Sequence, residues 1–342
     1  MKYKGVNYDI GMQVPYNVPE NRNNFLERDS FGENLPIIKN ELGCNAIRVT
    51  GTVKEELLDC AEKVLQAGLD CWLSPHYIEA DLDETEKKVL ECAEGLEVLR
   101  QKYPDNETVL IYGCEMHHFT DGLIPGANFT ERLERLAEPG VVKKAGKLLD
   151  EFFARAIPDI RKVFKGRVTY CTVNFETVDW APFDIICLDH YKSSYNKTTF
   201  IDELKPYVKM AAEQNKELVI TETGYCCFKG CSDAGAIGFQ ICHATEDGTL
   251  NGTFERAEKE QADAIVDAMQ DIEAAGAAGT FVFSFIHNAY PHVEDDPSRD
   301  LDMSGYGIVK AYADGRRGKT YPNAAWEPKE AFFAVKEFFA AH

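Results

Sequence analysis

The chain has 342 residues, 44% of them hydrophobic, which is room for one α/β barrel of about 250 residues with insertions. Thirty-seven basic against 57 acidic side chains leave a formal charge of −20, which repels phosphate backbones and anionic membranes and excludes nucleic acid and lipid headgroups as natural partners. No apolar run approaches the ~18 residues of a membrane span. The opening MKYKGVNYDIG lacks the apolar core of a signal peptide, so the expected location is cytoplasmic.

In chain order, short β-branched or aromatic runs alternate with amphipathic windows. Strands are expected at 3–9 (YKGVNYD) and 46–51 (AIRVTG). A helix over 53–68 follows, with Leu57, Leu58, Ala61, Val64 and Leu65 on one face and a glycine stop. A strand at 70–77 (DCWLSPHY), a helix over 82–103 ahead of Pro104, and strands at 108–115 (TVLIYGCE) and 168–175 (VTYCTVNF) come next. Residues 176–182 are too few for a helix before the strand at 183–191 (FDIICLDHY). The remainder gives a helix over 199–215, a strand at 217–225 (ELVITETGY), a helix over 254–275, a strand at 280–286 (TFVFSFI) and a helix over 328–341 that opens with proline. Most of the eight runs are continuously apolar, as parallel strands covered on both faces require. Eight strands with right-handed helical crossovers predict a single (β/α)8 barrel over 1–342, with long loops at 226–252 and 287–328 walling one face. A doubly wound open sheet would need a glycine-rich phosphate turn after an early strand, and none is present.

Barrel enzymes carry their chemistry at the C-terminal strand ends. Here those ends hold Asp9, Arg48, His76, Glu115 with His117 and His118, Asn174 with Glu176, Asp189 with His190, Glu222, and His287 with Asn288. Four of the eight ends carry histidine in a chain with only eight histidines, so the rim is polar and titratable by placement rather than by chance. Glu115 and Glu222 each follow an apolar run, after the fourth and seventh strands, and face one another across the ring. Two carboxyls flanking one bond, one protonated and one ionised, is the arrangement glycoside hydrolysis needs, and Arg48 is the cation that would keep one ionised. A strand-end glutamate can instead bridge a rim arginine or cap a helix; two at matching ends beside Arg48 and aromatics make that reading the weaker one.

The motifs GCNAIRV, YGCE, DHY and ITETGY resemble the glycoside hydrolase clan A barrels over nearly the whole chain. The resemblance implies that Glu115 is the acid/base and Glu222 the nucleophile, that Arg48 hydrogen-bonds the nucleophile, and that His190 and Tyr191 match the histidine and tyrosine found after the sixth strand. It implies retention of configuration, mostly on β-linked sugars. The asparagine that precedes the acid/base in that clan is Cys114 here, with Asn174 as a replacement amide. The tryptophan ending the eighth strand gives way to Phe285 or His287. Trp180, Tyr225, Tyr290 and Trp326 offer stacking platforms, Trp326 equally a loop-packing residue. With Asp9, His76, His117 and Glu176 these residues form the expected substrate-binding set; no cofactor and no metal is required. The tail (LDMSGYGIVK, YPNAAWEPKEAFFAV) is also similar to uncharacterised bacterial barrels, some labelled abortive-infection proteins.

Eleven scattered cysteines form no disulfide framework. Cys226, Cys227, Cys231 and Cys242 beside His243 would suit zinc in ligand type, but their spacing matches no common zinc motif, and free thiols in a covered loop are the preferred reading. The acidic run VEDDPSRDLD fits no calcium-loop spacing. Two rival functions stand beside the glycosidase. One is a metal-dependent barrel hydrolase or isomerase using His76, Glu115, His117, His190 and Glu222; the other is a non-catalytic barrel that binds carbohydrate or a protein.

Overall fold

Eight parallel strands close into one barrel in sequence order, β1 (Tyr3–Asp9), β2 (Ala46–Gly51), β3 (Asp70–Pro75), β4 (Thr108–Cys114), β5 (Arg167–Thr172), β6 (Ile186–Asp189), β7 (Leu218–Thr223) and β8 (Gly279–Val282), which pairs back onto β1. This is the expected (β/α)8 architecture, with every expected strand in place to within a few residues. The structure, a computed structural model, describes residues 1–15 and 24–342, and the side chains outside 24–29.

The helices are α1 (Asn24–Asn40), α2 (Lys54–Gln66), α3 (Leu82–Lys102), α4 (Met116–Phe119), α5 (Phe129–Arg135), α6 (Val141–Val163), α7 (Phe200–Glu213), α8 (Cys231–Ala234), α9 (Gly238–Ile241), α10 (Glu258–Ala275) and α11 (Glu330–Ala341). Two long ones, α1 and α6, were not anticipated from the sequence. Each carries an internal proline, Pro36 or Pro158, a residue that removes one helical hydrogen bond and reads as a stop. In α6 the apolar stripe Leu149, Phe152, Phe153, Ala156, Ile157, Ile160 outweighs that loss. No helix among the described residues is long and apolar enough to cross a membrane.

Strand alternation sorts the core into two layers. One side chain in two points inward, so Tyr3, Ala46, Trp72, Val109, Ile111, Cys171, Cys187, Val219 and Phe281 fill the barrel, while their neighbours pack outward against the helices. Trp72 meets Tyr3 edge-on at 5.2 Å and Phe281 at 4.9 Å. Gly5 makes this possible, because a Cβ there would lie 2.2 Å from the Phe281 ring. The N-terminal end is closed by Arg167, whose Nη1 reaches Tyr3 Oη at 2.7 Å and Glu107 and Glu217 at 3.1 Å each. The opposite end is left for chemistry.

Both long loops carry structure of their own. The first holds α8, a 3-10 turn (Gly235–Ile237) and α9; the second holds a 3-10 turn (Leu301–Ser304) and an antiparallel pair, β9 (Val309–Ala311) with β10 (Trp326–Pro328). Arg256, just before α10, pins the second loop through Asp300 at 2.8 Å and Asp302 at 2.6 Å, and buried Lys329 adds a 2.8 Å contact to Asp302.

Candidate active site

Strict alternation would send Thr221 into the barrel and Glu222 out toward the helices. The register instead shifts at the C-terminal ends of three pairings, β4 with β5, β6 with β7 and β7 with β8. Such irregularities re-aim side chains. They sit where Cys114, Asp189 and Glu222 are, and Asp189 comes to lie beside Glu222 in the ladder.

Glu222 is held at both oxygens. Arg48 donates from Nη1 to Oε1 at 2.7 Å, and the Tyr191 hydroxyl donates to Oε2 at 2.8 Å. Burial raises its affinity for a proton and the charge of Glu115 adds to that; Arg48 and Tyr191 oppose both, and the net displacement is upward. Arg48 is itself buried, with Nε donating to Ser74 Oγ at 3.3 Å. The same Nη1 lies 3.6 Å from Asp189 Oδ1, a carboxyl with no exposure, which also accepts the Thr221 hydroxyl at 2.8 Å and the Cys114 thiol at 3.2 Å. Burial first, then the Glu222 and Glu115 charges, hold Asp189 well above the usual carboxylate range against the pull of Arg48.

Glu115 occupies the turn out of β4 in the left-handed region, φ 46° and ψ 42°. A non-glycine residue costs about 1–3 kcal/mol there, so the surroundings must impose it. Its N–H donates to Cys171 O at 2.9 Å, and α4 behind it is anchored by Met116 N–H on the Tyr170 hydroxyl at 2.7 Å and His117 N–H on Glu176 Oε1 at 3.3 Å. The carboxyl is 18% exposed, and His118 Nε2 stands 3.2 Å from its Oε2. Glu222, at 13%, is nearly as exposed, so the two carboxyls differ in that Glu222 is clamped at both oxygens and Glu115 is not.

The expected residues divide into three groups. Arg48, Tyr191 and the two glutamates converge. His117 and Glu176 form a fully buried pair, Nδ1 to Oε1 at 2.6 Å, with Thr172 and Tyr170 hydroxyls on Glu176 at 2.5 and 3.0 Å. Burial works to raise Glu176, but His117 and Thr172 outweigh it and hold the carboxyl low. This pair supports α4 from behind. His190 turns onto Phe200, stacked at 4.6 Å, and Glu203 at 3.3 Å, and burial pushes it down to about 4. His76 packs edge-on to Phe119 and burial pushes it down to about 3.

The third group departs from the expected sugar contacts. Trp180 packs against Phe183 and Tyr225 receives Gln261 on its carbonyl, both buried. Phe285 stacks on Tyr8 at 5.7 Å beneath Trp326, also in the core. Strand-end position marks the correct end of the barrel but not the side a residue faces. Asn174 is exposed, its carbonyl accepting from Tyr207 at 3.3 Å. Asp9 accepts from Gly11 N–H at 2.7 Å, and His287 meets Tyr290 edge-on at 4.4 Å. Sequence reasoning missed Asp189 as a partner of Arg48, and it missed Phe283 and Tyr306. Tyr306, in the loop after β8, meets Phe283 at 5.5 Å and Tyr191 at 6.2 Å, and its hydroxyl donates to Ala236 O at 2.8 Å. The period of the strands carried no signal for a loop tyrosine arriving from outside.

Cys114, Glu115 and Asp189 bring ligand-type atoms within 4.8 Å of one another, the sole such grouping among the described residues. The thiol and Asp189 are hydrogen-bonded to each other and Arg48 supplies the positive charge, so the grouping is a charge cluster closed on itself. The five residues of the metal-dependent reading do not converge, since His117 and His190 are turned to Glu176 and Glu203. Nor do Cys226, Cys227, Cys231 and Cys242, which are buried free thiols, with Cys226 donating to Ser304 O.

No protein-family model matches this sequence, and no curated protein is similar to it in sequence. Solved structures are similar in fold. A GH113 β-1,4-mannanase matches with a TM-score of 0.62 at 14% identity, covering 100% of both chains. A GH113 β-mannanase from Alicyclobacillus acidocaldarius matches at 0.59 and 13%, covering 99% of this chain and 97% of that one. A GH2 β-galacturonidase from Eisenbergiella tayi, bound to galacturonate, matches at 0.59 and 14%; the whole of this chain corresponds to 51% of it. At these identities the likeness is one of barrel architecture.

Proposed function

We propose that this chain is a retaining glycoside hydrolase acting on small β-linked glycosides or oligosaccharides from one end. The observation that carries the reading is the unequal treatment of two carboxyls at one barrel mouth: Glu222 clamped by Arg48 and Tyr191, Glu115 left unclamped on a forced turn. A clamped carboxylate with its oxygens fixed suits a nucleophile; an unclamped carboxyl suits a group that trades protons with a leaving group and then with water. In the first step Glu222 attacks the anomeric carbon while Glu115 gives its proton to the departing glycosidic oxygen, leaving a glycosyl ester and a free alcohol. In the second, Glu115 takes a proton from water, which attacks the same carbon and releases Glu222. Fold-alike barrels named as a β-mannanase and a β-galacturonidase agree with a β-linked substrate. The two structured loops joined through Tyr306 agree with a walled, end-on pocket rather than an open cleft.

The test is a panel of nitrophenyl α- and β-glycosides with wild type and Glu222→Gln, with and without EDTA. The reading expects turnover of β-glycosides that vanishes in the variant and ignores chelator. Turnover abolished by EDTA, or retained in Glu222→Gln, overturns it.

A further inference from the structure

Arg48 Nη1 serves two carboxylates at once, Glu222 at 2.7 Å and fully buried Asp189 at 3.6 Å, and among the described residues no other lysine or arginine pairs with either. Around them, the turn after β3 contributes His76, the end of β4 the Cys114 thiol and the turn after it Glu115, β5 the Cys171 thiol, and the segment after β6 the Tyr191 hydroxyl. The acids among these add negative charge or stay neutral, and His76 is held neutral by burial. One buried positive charge balances one carboxylate; a second ionised neighbour would be uncompensated. We propose that Asp189 is the reserve counter-ion of Arg48, uncharged while Glu222 is a carboxylate and ionised once Glu222 becomes an ester.

The role rests on the glycosidase reading, in which Glu222 loses its charge midway through each cycle. At that moment Arg48 would have lost its 2.7 Å partner, and Glu115, left ionised by its proton transfer, makes no contact with Arg48 among the described residues. Asp189 is already fixed beside it by the Thr221 hydroxyl and the Cys114 thiol, so no side chain has to move. The proton it gives up passes to solvent and returns when Glu222 is freed, so each cycle is neutral. Asp189 is therefore a positioning residue: it never touches the sugar, and it keeps Arg48 seated to receive Glu222 again. Burial and the Glu222 charge, which push Asp189 well above the usual carboxylate range, agree with this arrangement.

The test needs no substrate and so fails separately from the glycosidase reading. The full chain is labelled with carboxyl-¹³C aspartate and titrated by NMR as wild type and as Glu222→Gln, with Asp189→Asn identifying the resonance. The expected result is an Asp189 midpoint about two pH units or more lower in Glu222→Gln than in wild type. Equal midpoints, or an Asp189 already ionised at pH 6 in wild type, overturn the proposal. If Glu222→Gln does not fold, Glu222→Ala gives the same comparison, since it too removes the competing charge.

Discussion

Tyr191 shows how much of this site depends on single hydrogen bonds. Its hydroxyl satisfies the Glu222 oxygen that Arg48 does not, and a hydrogen bond to a charged group contributes about 1.5–3 kcal/mol. Tyr191→Phe removes that bond and leaves the ring against Tyr306. If Glu222 attacks as the carboxylate, as proposed, losing a bond that favours its ionised form moves the acid limb of kcat/KM against pH upward by about one unit. An unmoved limb with a uniformly lower rate would mean that the hydroxyl serves packing alone. Several residues of this site were legible from the sequence. Glu115, Arg48 and Glu222 follow from strand-end position, because the barrel fixes which end is open, while Tyr191 comes only from the resemblance to clan A barrels. Trp180, Tyr225 and Phe285 were misjudged because an aromatic near a strand end packs as readily beneath a loop as above a sugar, and only the three-dimensional path of the loop decides.

At the scale of elements, the short helix α4 is the part that aims Glu115. It is held from behind by Glu176, which reaches His117, Tyr170 and Thr172 together. Glu176→Ala strands those partners in the interior at about 1–3 kcal/mol for each left unsatisfied. Thermal denaturation should show a clear fall in Tm, and turnover of substrates with poor leaving groups should fall more than that of activated ones, since proton donation by Glu115 is what is misaligned. Equal losses for both would place Glu176 in general stability and not in the aim of α4. The strands that carry these residues are legible from continuous apolar runs, but the register shifts at Cys114, Asp189 and Glu222 are not. A shift changes the facing of one residue without changing composition, so periodicity cannot reveal it. Helices α1 and α6 each hold an internal proline, but so does α7 at Pro206, which is expected from the sequence, so proline alone does not explain why the two were missed.

For the molecule as a whole, acid should act partly through histidines buried neutral. His190 binds a proton at 6.5 when unfolded but only at about 4 when folded. Its folded value is depressed, so the stability it contributes is complete above about 6.5 and is lost as pH falls toward 4, because the unfolded chain binds the extra proton. The stability of wild type relative to His190→Gln should therefore decline by up to about 1.4 kcal/mol per pH unit across that window, measured by urea unfolding at fixed pH. Parallel curves would show that His190 is protonated in the folded chain. The eight strands, their order and the open end of the barrel were all legible in advance, since burial on both faces is written into composition; the tyrosine that closes the mouth from the second loop was not.

In the proposed mechanism Glu222 forms a covalent bond with the sugar. The most direct measurement is peptide mapping by mass spectrometry after incubation with dinitrophenyl 2-deoxy-2-fluoro-β-glycosides of the sugars that wild type turns over. The expected result is a single adduct of one fluoro-sugar on the peptide bearing Glu222, absent in Glu222→Gln. An adduct on a different carboxylate, or turnover that proceeds with inversion and traps no adduct, would contradict it.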